Sequence, residues 1–478
     1  MKHKKSIIFN TIGIIFVLLC LSNVAIFSYY LFKLNILPIR YLLIGYGIFI
    51  FILFLLILAI FGKSNKIIKS VVLLIIIVMF VGFCYGTYYL TNTYRFLDNT
   101  QTEYDSLTYS ILVLHNNSYN DINSLHQKTI SYMDNEYKED VRKELSSKTT
   151  YHELLTTEFG TLPDVLLNGE VDAICLEESY LTLMKEEIES FETSTKVIYT
   201  FEIRVKAHKE ESNINISKEP FILYISGIDQ YGNVTSVRGR SDVNQIAVVN
   251  PQTNHILLVN TPRDYYVQLA GTTGLKDKLT HAGIYGIDKS ISTLENLYDI
   301  DINHYIRVNF NTLIKVVDVI GGIDIESDAS FTCWTNRKVH VEEGWNHFNG
   351  EQALAYSRER YAYLTGDHHR GANQQQVITA IINKVGNSKI LISKYNSILN
   401  TLNGSFQTDM SMDMITSFIR YQLDKMPSWN VESIAVTGTN SSNYTYSMGT
   451  GYKLYVMEPD YNSVASVKQR INEVLNEQ

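Results

Sequence analysis

Arginines and aspartates cluster at four places between residues 226 and 376, where they have the chemistry of a phosphate-binding site. The clusters fall within residues 226–229, 238–242, 261–264 and 350–376. Arginine presents a planar fork of N–H donors that matches phosphate oxygens two at a time, and it stays charged. The arginines concerned are Arg240, Arg263, Arg358, Arg360 and Arg370. Their number and type predict a clamp for phosphate groups.

Two aspartates, Asp229 and Asp242, add carboxylate oxygens to these clusters. A bound diphosphate often carries a hard divalent cation, which prefers carboxylate oxygens and keeps waters of its own. Asp229 and Asp242 could supply those oxygens. An opposing interpretation is that the charged residues form surface ion pairs, because Arg358, Glu359 and Arg360 are close enough in sequence to pair locally.

Strand ends and a helix start must bring the clusters together. Residues 221–225 predict a strand that leads into the first cluster, and residues 246–249 and 255–259 predict a hairpin that leads into the third. Ligands of α/β sheets collect at the carboxyl ends of strands, so side chains placed there can share one site. On the helix that starts near Arg370, Gln374 lies one turn later on the same face.

The spacing of Arg358 and Arg360 sets a condition on the local structure. Residues two apart on a regular helix diverge by about 200°. Both arginines can reach one diphosphate only if the helix predicted from residue 351 ends near Tyr356 and the chain then runs extended, where alternate side chains share a face. The sequence therefore predicts a helix end just before this pair.

The same stretches resemble a known family. They read Ser-Gly-Ile-Asp at 226–229, Arg-Ser-Asp at 240–242 and Thr-Pro-Arg-Asp at 261–264, followed by the long runs 350–360 and 367–376. In order and spacing these motifs resemble the LytR-CpsA-Psr family. The three apolar runs and the extra domain that precede them resemble its capsule-associated CpsA-like branch of Gram-positive bacteria.

The resemblance implies a metal-dependent phosphotransferase. Family members move glycopolymers from an undecaprenyl-diphosphate carrier onto peptidoglycan, so the implied substrates are an undecaprenyl-diphosphate-linked polysaccharide, capsular or similar, and a peptidoglycan acceptor. Capsule export and polymerisation machinery is a further expected partner. The resemblance also implies Mg²⁺ or Mn²⁺ on Asp229 and Asp242, and an apolar pocket for the prenyl tail.

The resemblance assigns further roles residue by residue. The implied contacts to the diphosphate are Arg240, Arg263, Arg358, Arg360, Arg370 and Gln374. The first four of these arginines are the expected catalytic residues, together with Asp367, which matches another family position. Asp367 is a candidate general base, and the sequence does not fix which residue takes that role.

Three apolar runs at 7–32, 41–61 and 71–90 are each long enough to cross a bilayer as a helix, which takes about 20 residues. Residues 1–97 contain nine Lys or Arg and no acidic residue, whereas the other 381 residues carry a formal charge of −17. We therefore expect residues 1–97 to be a membrane segment with three transmembrane helices. This excludes a soluble cytoplasmic enzyme, and the acidic remainder disfavours a nucleic-acid partner.

Basic residues predict the orientation of the membrane segment. Three lysines precede the first apolar run and three lie between the second and third, whereas the other loop has only Lys33 and Arg40. By the positive-inside rule the N-terminus is cytoplasmic. We expect a multi-pass protein of the cell membrane whose large C-terminal part is extracellular.

The remainder of the chain alternates strand and helix patterns, which predicts an α/β fold. Residues 91–105 are polar and predict a linker, and residues 120–136 have a helical pattern. The charged stretch 206–219 divides the exterior into a small α/β accessory domain at 98–217 and a larger α/β catalytic domain at 218–478 with a mixed central sheet. Cys175 and Cys333 could form a disulfide there, although a buried thiol is the favoured interpretation for Cys175.

Two other functions remain open at the level of sequence. A membrane-bound regulator of capsule synthesis is disfavoured because the cytoplasmic pieces, residues 1–6 and 62–70, are too short for a DNA-binding fold. A lipid-linked pyrophosphate hydrolase would use the same site with water as acceptor. Zinc on His368 and His369 is disfavoured because adjacent histidines point apart.

Overall fold

Three apolar helices open the chain in the computed structural model. The structure describes residues 2–62, 66–99, 104–206, 214–228, 238–363, 366–386 and 405–478, with 394, 397, 398 and 401. The helices are α1 (Lys2–Leu34), α2 (Ile39–Phe61) and α3 (Lys66–Asn99). Each helix contains a segment that is long and apolar enough to cross a membrane, and these segments have 24, 22 and 33 residues. The prediction of three spanning helices is confirmed by length and composition.

Helix α3 continues beyond its apolar run, so the prediction of a linker from residue 91 was wrong for most of that stretch. Its 34 residues span about 51 Å at 1.5 Å per residue, well beyond a hydrocarbon core of about 30 Å. The extra turns bury Phe96 and Leu97 against a helix of the catalytic domain. Packing therefore extends the helix where the sequence alone gave no periodic signal.

The accessory domain is a five-stranded mixed sheet covered by helices on both faces. Its strand order is β3-β2-β4-β1-β5, with β2 parallel to β3 and β4 and with β1 antiparallel to β4 and β5. The strands are β1 (Tyr104–Leu114), β2 (Thr129–Met133), β3 (His152–Thr156), β4 (Ala173–Glu177) and β5 (Thr195–Lys206). The helices are α4 (Lys138–Lys148), α5 (Thr161–Leu167), α6 (Glu178–Glu187) and α7 (Phe191–Ser194).

The helix predicted at residues 120–136 is wrong. That stretch forms a 3-10 turn (Ile122–Leu125) and then β2, a strand between two parallel neighbours. Ile130 and Tyr132 point into one core of the domain and Met133 into the other. A central strand with both faces covered lacks the polar alternation that distinguishes strand from helix.

The domain predicted to be catalytic is built on a six-stranded sheet, and this sheet is mixed, as predicted. Its order is β16-β11-β6-β7-β8-β17, in which β6 and β11 are parallel, β8 and β17 are parallel and the other neighbours are antiparallel. These strands are β6 (Phe221–Ile228), β7 (Ser241–Asn250), β8 (His255–Asn260), β11 (His304–Asn309), β16 (Phe406–Thr408) and β17 (Asn430–Ala435). The predicted hairpin is β7 and β8.

Helices cover both faces of this sheet. In β8, Leu257 and Val259 face one core and Ile256 and Leu258 face the other, the two-residue alternation of a strand. The helices are α8 (Leu279–Ala282), α9 (Ile287–Tyr298), α10 (Phe310–Val319), α11 (Gly350–Ser357), α12 (Asp367–Gly386), α13 (Met412–Lys425) and α14 (Tyr461–Leu475). A 3-10 turn spans Gly283–Tyr285.

Short strand pairs complete the domain outside the main sheet. They are β9 (Tyr266–Val267) with β10 (Asp277–Lys278), β12 (Ile323–Ser327) with β15 (Gly344–Phe348), β13 (Phe331–Thr332) with β14 (His340–Val341), and β18 (Gly438–Thr445) with β19 (Gly449–Pro459). Cys175 and Cys333 are both free and buried, so the alternative of a disulfide between them was wrong.

The accessory and catalytic domains share an apolar core. Ile284, Met448 and Leu454 of the catalytic domain belong to the same buried cluster as the accessory residues Phe159 and Tyr180. The ring of Phe159 meets that of Tyr285 in the catalytic domain edge to face, with centroids 5.9 Å apart. The accessory domain is therefore packed against the catalytic domain as part of one folded body.

Candidate active site

A cavity of about 360 Å³ lies at one edge of the catalytic sheet. Ile225, Gly227 and Ile228 from the end of β6 line it, as do Val308 and Asn309 from the end of β11. Because β7 is antiparallel to β6, its first residues reach the same edge, where Ser241 pairs with Ile228. The predicted convergence of clusters at strand ends is therefore what the topology produces.

Four of the predicted arginines line this cavity together with one aspartate. Arg263 follows β8, Arg358 and Arg360 follow α11, and Arg370 lies in the first turn of α12. Asp242 is the acidic residue among the lining side chains that the structure describes. Four positive charges against one negative charge in a partly enclosed site favour an anionic ligand.

Asp242 is held by two donors inside the site. Its carboxylate accepts a hydrogen bond from Arg263 Nη1 at 2.5 Å and another from Thr280 Oγ1 at 2.9 Å. Burial would raise the pKa of Asp242, but the charges of Arg263, Arg240 and Arg370 outweigh it and hold the pKa at about 2. The carboxylate is therefore ionised at neutral pH.

Helix α11 ends where the sequence required. An Asn349 capping box starts it and Ser357 is its last residue, so Arg358 is the C-cap and Arg360 lies beyond the helix. Both arginines line the cavity despite their separation of two residues. The Arg358 guanidinium lies over the ring of Phe310, 4.2 Å from its centroid.

Glu359, between these two arginines, binds backbone N–H groups with its side chain. Its side chain is 1% exposed, and its carboxylate accepts hydrogen bonds from the backbone N–H groups of Trp334, Arg360 and Tyr361 at 2.5, 3.0 and 2.7 Å. Such bonds allow a carboxylate to be buried. The carboxylate fixes the turn that presents Arg360, a role that the interpretation as a local surface ion pair had not anticipated.

Helix α12 brings a further arginine to the cavity. Arg370 is buried, and Gln374, one turn later, also lines the cavity. At Gly371 a Cβ atom would lie 2.2 Å from the side-chain amide nitrogen of Asn260, so a larger residue would displace the Asn260 side chain at the end of β8. Asp367 is the first residue of α12, and its side chain lies outside the described part of the structure.

Arg240 is placed differently from the other arginines. It is not among the lining residues but forms an ion pair with Glu186 of α6 in the accessory domain. Nearby, Arg238 lies 3.8 Å from Glu177 at the end of β4 and donates a hydrogen bond to the hydroxyl of Tyr137 at 3.0 Å. The accessory domain thus holds the segment that leads into Asp242.

An apolar wall forms the rest of the cavity. Its side chains come from β6, β7, β11, α10, α11 and α12. They are Ile225, Ile228, Val243, Val308, Phe310, Leu313, Leu354, Val377 and Ile378. One cavity therefore combines guanidinium groups with a surface that suits a hydrocarbon chain.

A sequence model of the LytR_cpsA_psr family matches residues 188–469, more than half of the chain. The chain belongs to the LytR-CpsA-Psr family. The match begins before β6 and covers all the described arginines and the aspartate of the cavity.

Named relatives of this LytR-CpsA-Psr protein are transferases. It is 35% identical over 228 residues to the polyisoprenyl-teichoic acid–peptidoglycan teichoic acid transferase TagU of Enterococcus faecalis, covering 47% of this chain and 72% of that protein. The Bacillus cereus TagU is 34% identical over 214 residues, 44% of this chain and 68% of that protein. The crystal structure of Bacillus subtilis TagV is 27% identical, covers 55% of this chain and 99% of that chain, and gives a TM-score of 0.46.

The described part of this LytR-CpsA-Psr site fits a hard divalent cation in one respect. Asp242 supplies an ionised carboxylate at the cavity, and Mg²⁺ in proteins commonly takes one or two carboxylates with substrate phosphates and waters. The described residues contain no group of three or more His, Cys, Asp or Glu that could form a complete cage. Asp229, the other predicted ligand, lies outside the described residues.

Some site residues had no signal in the sequence. Thr280 stands outside every charged cluster, yet its hydroxyl binds Asp242. Trp334 lines the cavity and lies outside every charged cluster. Tyr361 also lines the cavity and directly follows Arg360, but it has no charge to mark it as a site residue. An uncharged aromatic residue is indistinguishable in sequence from a core residue, so only the fold reveals its place.

Proposed function

We propose that this protein transfers a glycopolymer from a polyprenyl-diphosphate carrier onto peptidoglycan. The observation that carries the proposal is the joining of four arginines and an apolar wall in one cavity. A lipid diphosphate needs both, because its phosphates must be neutralised and its hydrocarbon chain must be removed from water. The names of the TagU relatives, which specify polyisoprenyl-teichoic acid and peptidoglycan, support the same class of substrates.

The proposed chemistry is transfer at the phosphorus atom that bears the glycan. A hydroxyl oxygen of the acceptor forms a bond to that phosphorus while the bond to the bridging oxygen breaks, and polyprenyl monophosphate leaves. The hydroxyl proton passes to a base. Arg263, Arg358, Arg360 and Arg370 would neutralise charge on the equatorial and leaving oxygens, the main source of catalysis in phosphoryl transfer.

We further propose that Asp242, together with Asp229, holds Mg²⁺ or Mn²⁺. When bound, this ion would neutralise part of the charge on the diphosphate. The ionised state of Asp242 supports the assignment, since a protonated carboxyl would be a poor ligand. Arg240 would act on the site through its charge near Asp242, from its ion pair with Glu186.

Asp367 is retained as the proposed general base. It opens α12 three residues before Arg370, which lines the cavity. A base near the acceptor hydroxyl would contribute about 10²- to 10⁴-fold to the rate. Asp367→Asn would then slow transfer while leaving donor binding unchanged.

We propose a capsular polysaccharide as the glycan and capsule export and polymerisation machinery as a partner. The support is the resemblance to the capsule-associated branch in the three apolar helices and the additional domain. The relatives act on teichoic acid by name, so a parallel assay with a teichoic acid donor tests this choice.

Acceptor dependence tests the proposed function. Full-length protein in detergent is incubated with lipid-linked oligosaccharide, with and without peptidoglycan, and the glycan bound to peptidoglycan is measured. We expect transfer that needs the acceptor, is lost in EDTA and returns with Mg²⁺. Release of free glycan phosphate at the same rate without acceptor would instead identify a hydrolase, and full activity in EDTA would reject the metal.

A further inference from the structure

Two aromatic rings at the cavity remain exposed to solvent and have no part in the mechanism above. The side chains of Trp334 and Tyr361 are 55% and 63% exposed, and both line the cavity. Their ring centroids are 5.0 Å apart with planes tilted by 48°. A contiguous exposed apolar surface beside a ligand cavity is typical of a binding surface. We refer to Trp334 and Tyr361 as the aromatic platform.

The aromatic platform is held in place by the buried carboxylate of Glu359. One carboxylate oxygen accepts the backbone N–H of Trp334 and the other accepts that of Tyr361. Two segments that are distant in sequence are therefore tied to one buried group, which fixes the backbone positions from which the two rings extend. Because little ordering remains to be done on binding, such a surface loses little entropy when a ligand arrives.

Each ring of the platform also lies beside an arginine. The guanidinium of Arg337 is 4.1 Å from the centroid of Trp334, and that of Arg360 is 5.5 Å from the centroid of Tyr361. Cation–π attraction favours both arrangements. Arg360 is also one of the proposed contacts to the diphosphate, so the platform lies next to the position proposed for the phosphates.

We propose that Trp334 and Tyr361 form a subsite for the sugar ring that is joined directly to the diphosphate of the lipid-linked donor. This inference rests on the proposed function. One face of a pyranose presents mainly C–H bonds, and the electron-rich face of an aromatic ring attracts them. Stacking of this kind needs no particular pattern of hydroxyl groups, so it suits a family of related glycans.

The donor diphosphate carries a different group at each end, and this difference indicates that the sugar occupies the subsite. One end carries the prenyl chain, for which the apolar wall around Val308, Leu313 and Val377 provides cover. The other end carries the glycan, which must continue into solvent as a polymer. The aromatic platform is exposed, so a sugar stacked there leaves the rest of the polymer free to extend.

Paired binding measurements test the subsite. Dissociation constants of the full-length protein in detergent are measured for farnesyl diphosphate and for its glucosyl and N-acetylglucosaminyl derivatives. We expect wild type to bind at least one sugar-bearing probe more tightly than farnesyl diphosphate. Trp334→Ala and Tyr361→Ala should each reduce that preference about three- to tenfold, with unchanged affinity for farnesyl diphosphate.

Two further variants serve as controls. Trp334→Tyr keeps an aromatic face and should retain most of the preference. Trp345→Ala removes a tryptophan that is 72% exposed but is not among the residues lining this cavity, and it should change nothing.

Three results would overturn the subsite. Equal weakening of all probes by the alanine variants would assign the platform to the prenyl chain or the diphosphate. A wild type without preference for either sugar would also reject the subsite, and the proposed function would stand. Failure of every probe to bind would reject the proposed function as well as the subsite.

Discussion

Arg358 and Arg360 should not be replaceable by lysine. Both line the cavity just after the end of α11, where a planar guanidinium can meet two phosphate oxygens at once. A lysine keeps the charge but cannot form the paired bonds. We expect Arg358→Lys and Arg360→Lys each to lower kcat/KM for transfer by about 10- to 100-fold.

The matched control for this pair is Arg204→Lys. Arg204 is exposed on β5 of the accessory domain, and its replacement should leave the rate unchanged. Near-normal transfer by both cavity variants would show that these arginines do not clamp a phosphate, and the segment would have to be removed from the site.

Glu177 should make stability depend on pH. Burial raises its pKa to about 7, and the charge of Arg238 offsets only part of that effect. Between pH 4.5 and 7 the folded protein holds a proton that the unfolded chain has released. The stabilisation from this bound proton is fully present below pH 4.5 and is lost as pH rises through 7. As pH rises from 5 to 8, the free energy of unfolding of Glu177→Gln should increase by on the order of 2 kcal/mol relative to that of wild type.

Thermal or denaturant unfolding at several pH values measures this difference. The quantity to compare is the free energy of unfolding of the variant minus that of wild type at each pH, because the effects of other titrating groups then cancel. A difference that stays constant from pH 5 to 8 would show that Glu177 ionises normally.

At the residue scale, the sequence predicted which charged residues belong to the site better than it predicted which residues each of them contacts. Four arginines and Asp242 meet at the cavity because motif spacing places them at the beginnings or ends of strands and helices. Arg240 could not be separated from them by sequence, because its partner Glu186 belongs to another domain. The Asp229 and Asp367 side chains lie outside the described part of the structure, so their roles stay predictions.

At the scale of elements, α6 of the accessory domain should support the active site. Glu186, near its C-terminal end, pairs with Arg240, whose charge helps to lower the pKa of Asp242. Glu186→Gln should lower kcat/KM by up to about fivefold, because an ion pair with one half-exposed partner is worth at most about 1 kcal/mol. Glu186→Asp should restore part of the loss.

Glu192→Gln is the matched control for α6. Glu192 is also acidic and belongs to the accessory domain, but its side chain is 70% exposed and it pairs with Lys185 at 3.7 Å. Its replacement should not alter transfer. Faster transfer by Glu186→Gln would mean that the ion pair withdraws Arg240 from the reaction instead of positioning it.

Elements were predictable from sequence where turn residues marked their ends. The hairpin predicted at residues 246–249 and 255–259 is β7 and β8, and Pro251 and Asn254 lie in the turn between them. The central strand β2 was missed because tertiary packing covers both of its faces. The end of α11 was inferred from the chemistry that its two arginines had to share.

At the scale of the whole molecule, the catalytic domain packs against the ends of the three apolar helices α1, α2 and α3. Arg40, at the start of α2, pairs with Asp424 of α13 at 2.6 Å, and Arg420 of α13 donates a hydrogen bond to Asn35 at 2.8 Å. Phe96 of α3 packs against Phe406 of β16 with ring centroids 6.0 Å apart. Sequence could not show this docking, because its contacts join residues 310 to 385 positions apart.

Thiol labelling tests the orientation of this assembly. Lysines flank the side of the membrane segment opposite to the docked domain, which predicts that the domain is extracellular. On intact protoplasts, an impermeant thiol reagent should label Ser118→Cys but not Ser64→Cys, with the unmodified protein as background. Labelling of Ser64→Cys alone would place the catalytic domain in the cytoplasm and remove peptidoglycan as the acceptor.

The identity of the released lipid tests the central claim most directly. Purified full-length protein is given a polyprenyl-diphosphate oligosaccharide and peptidoglycan, and both products are analysed by mass spectrometry. Attack at the phosphorus that bears the glycan predicts polyprenyl monophosphate as the released lipid and one phosphorus between glycan and peptidoglycan. Release of polyprenyl diphosphate, with a glycan linkage that lacks phosphorus, would contradict the account.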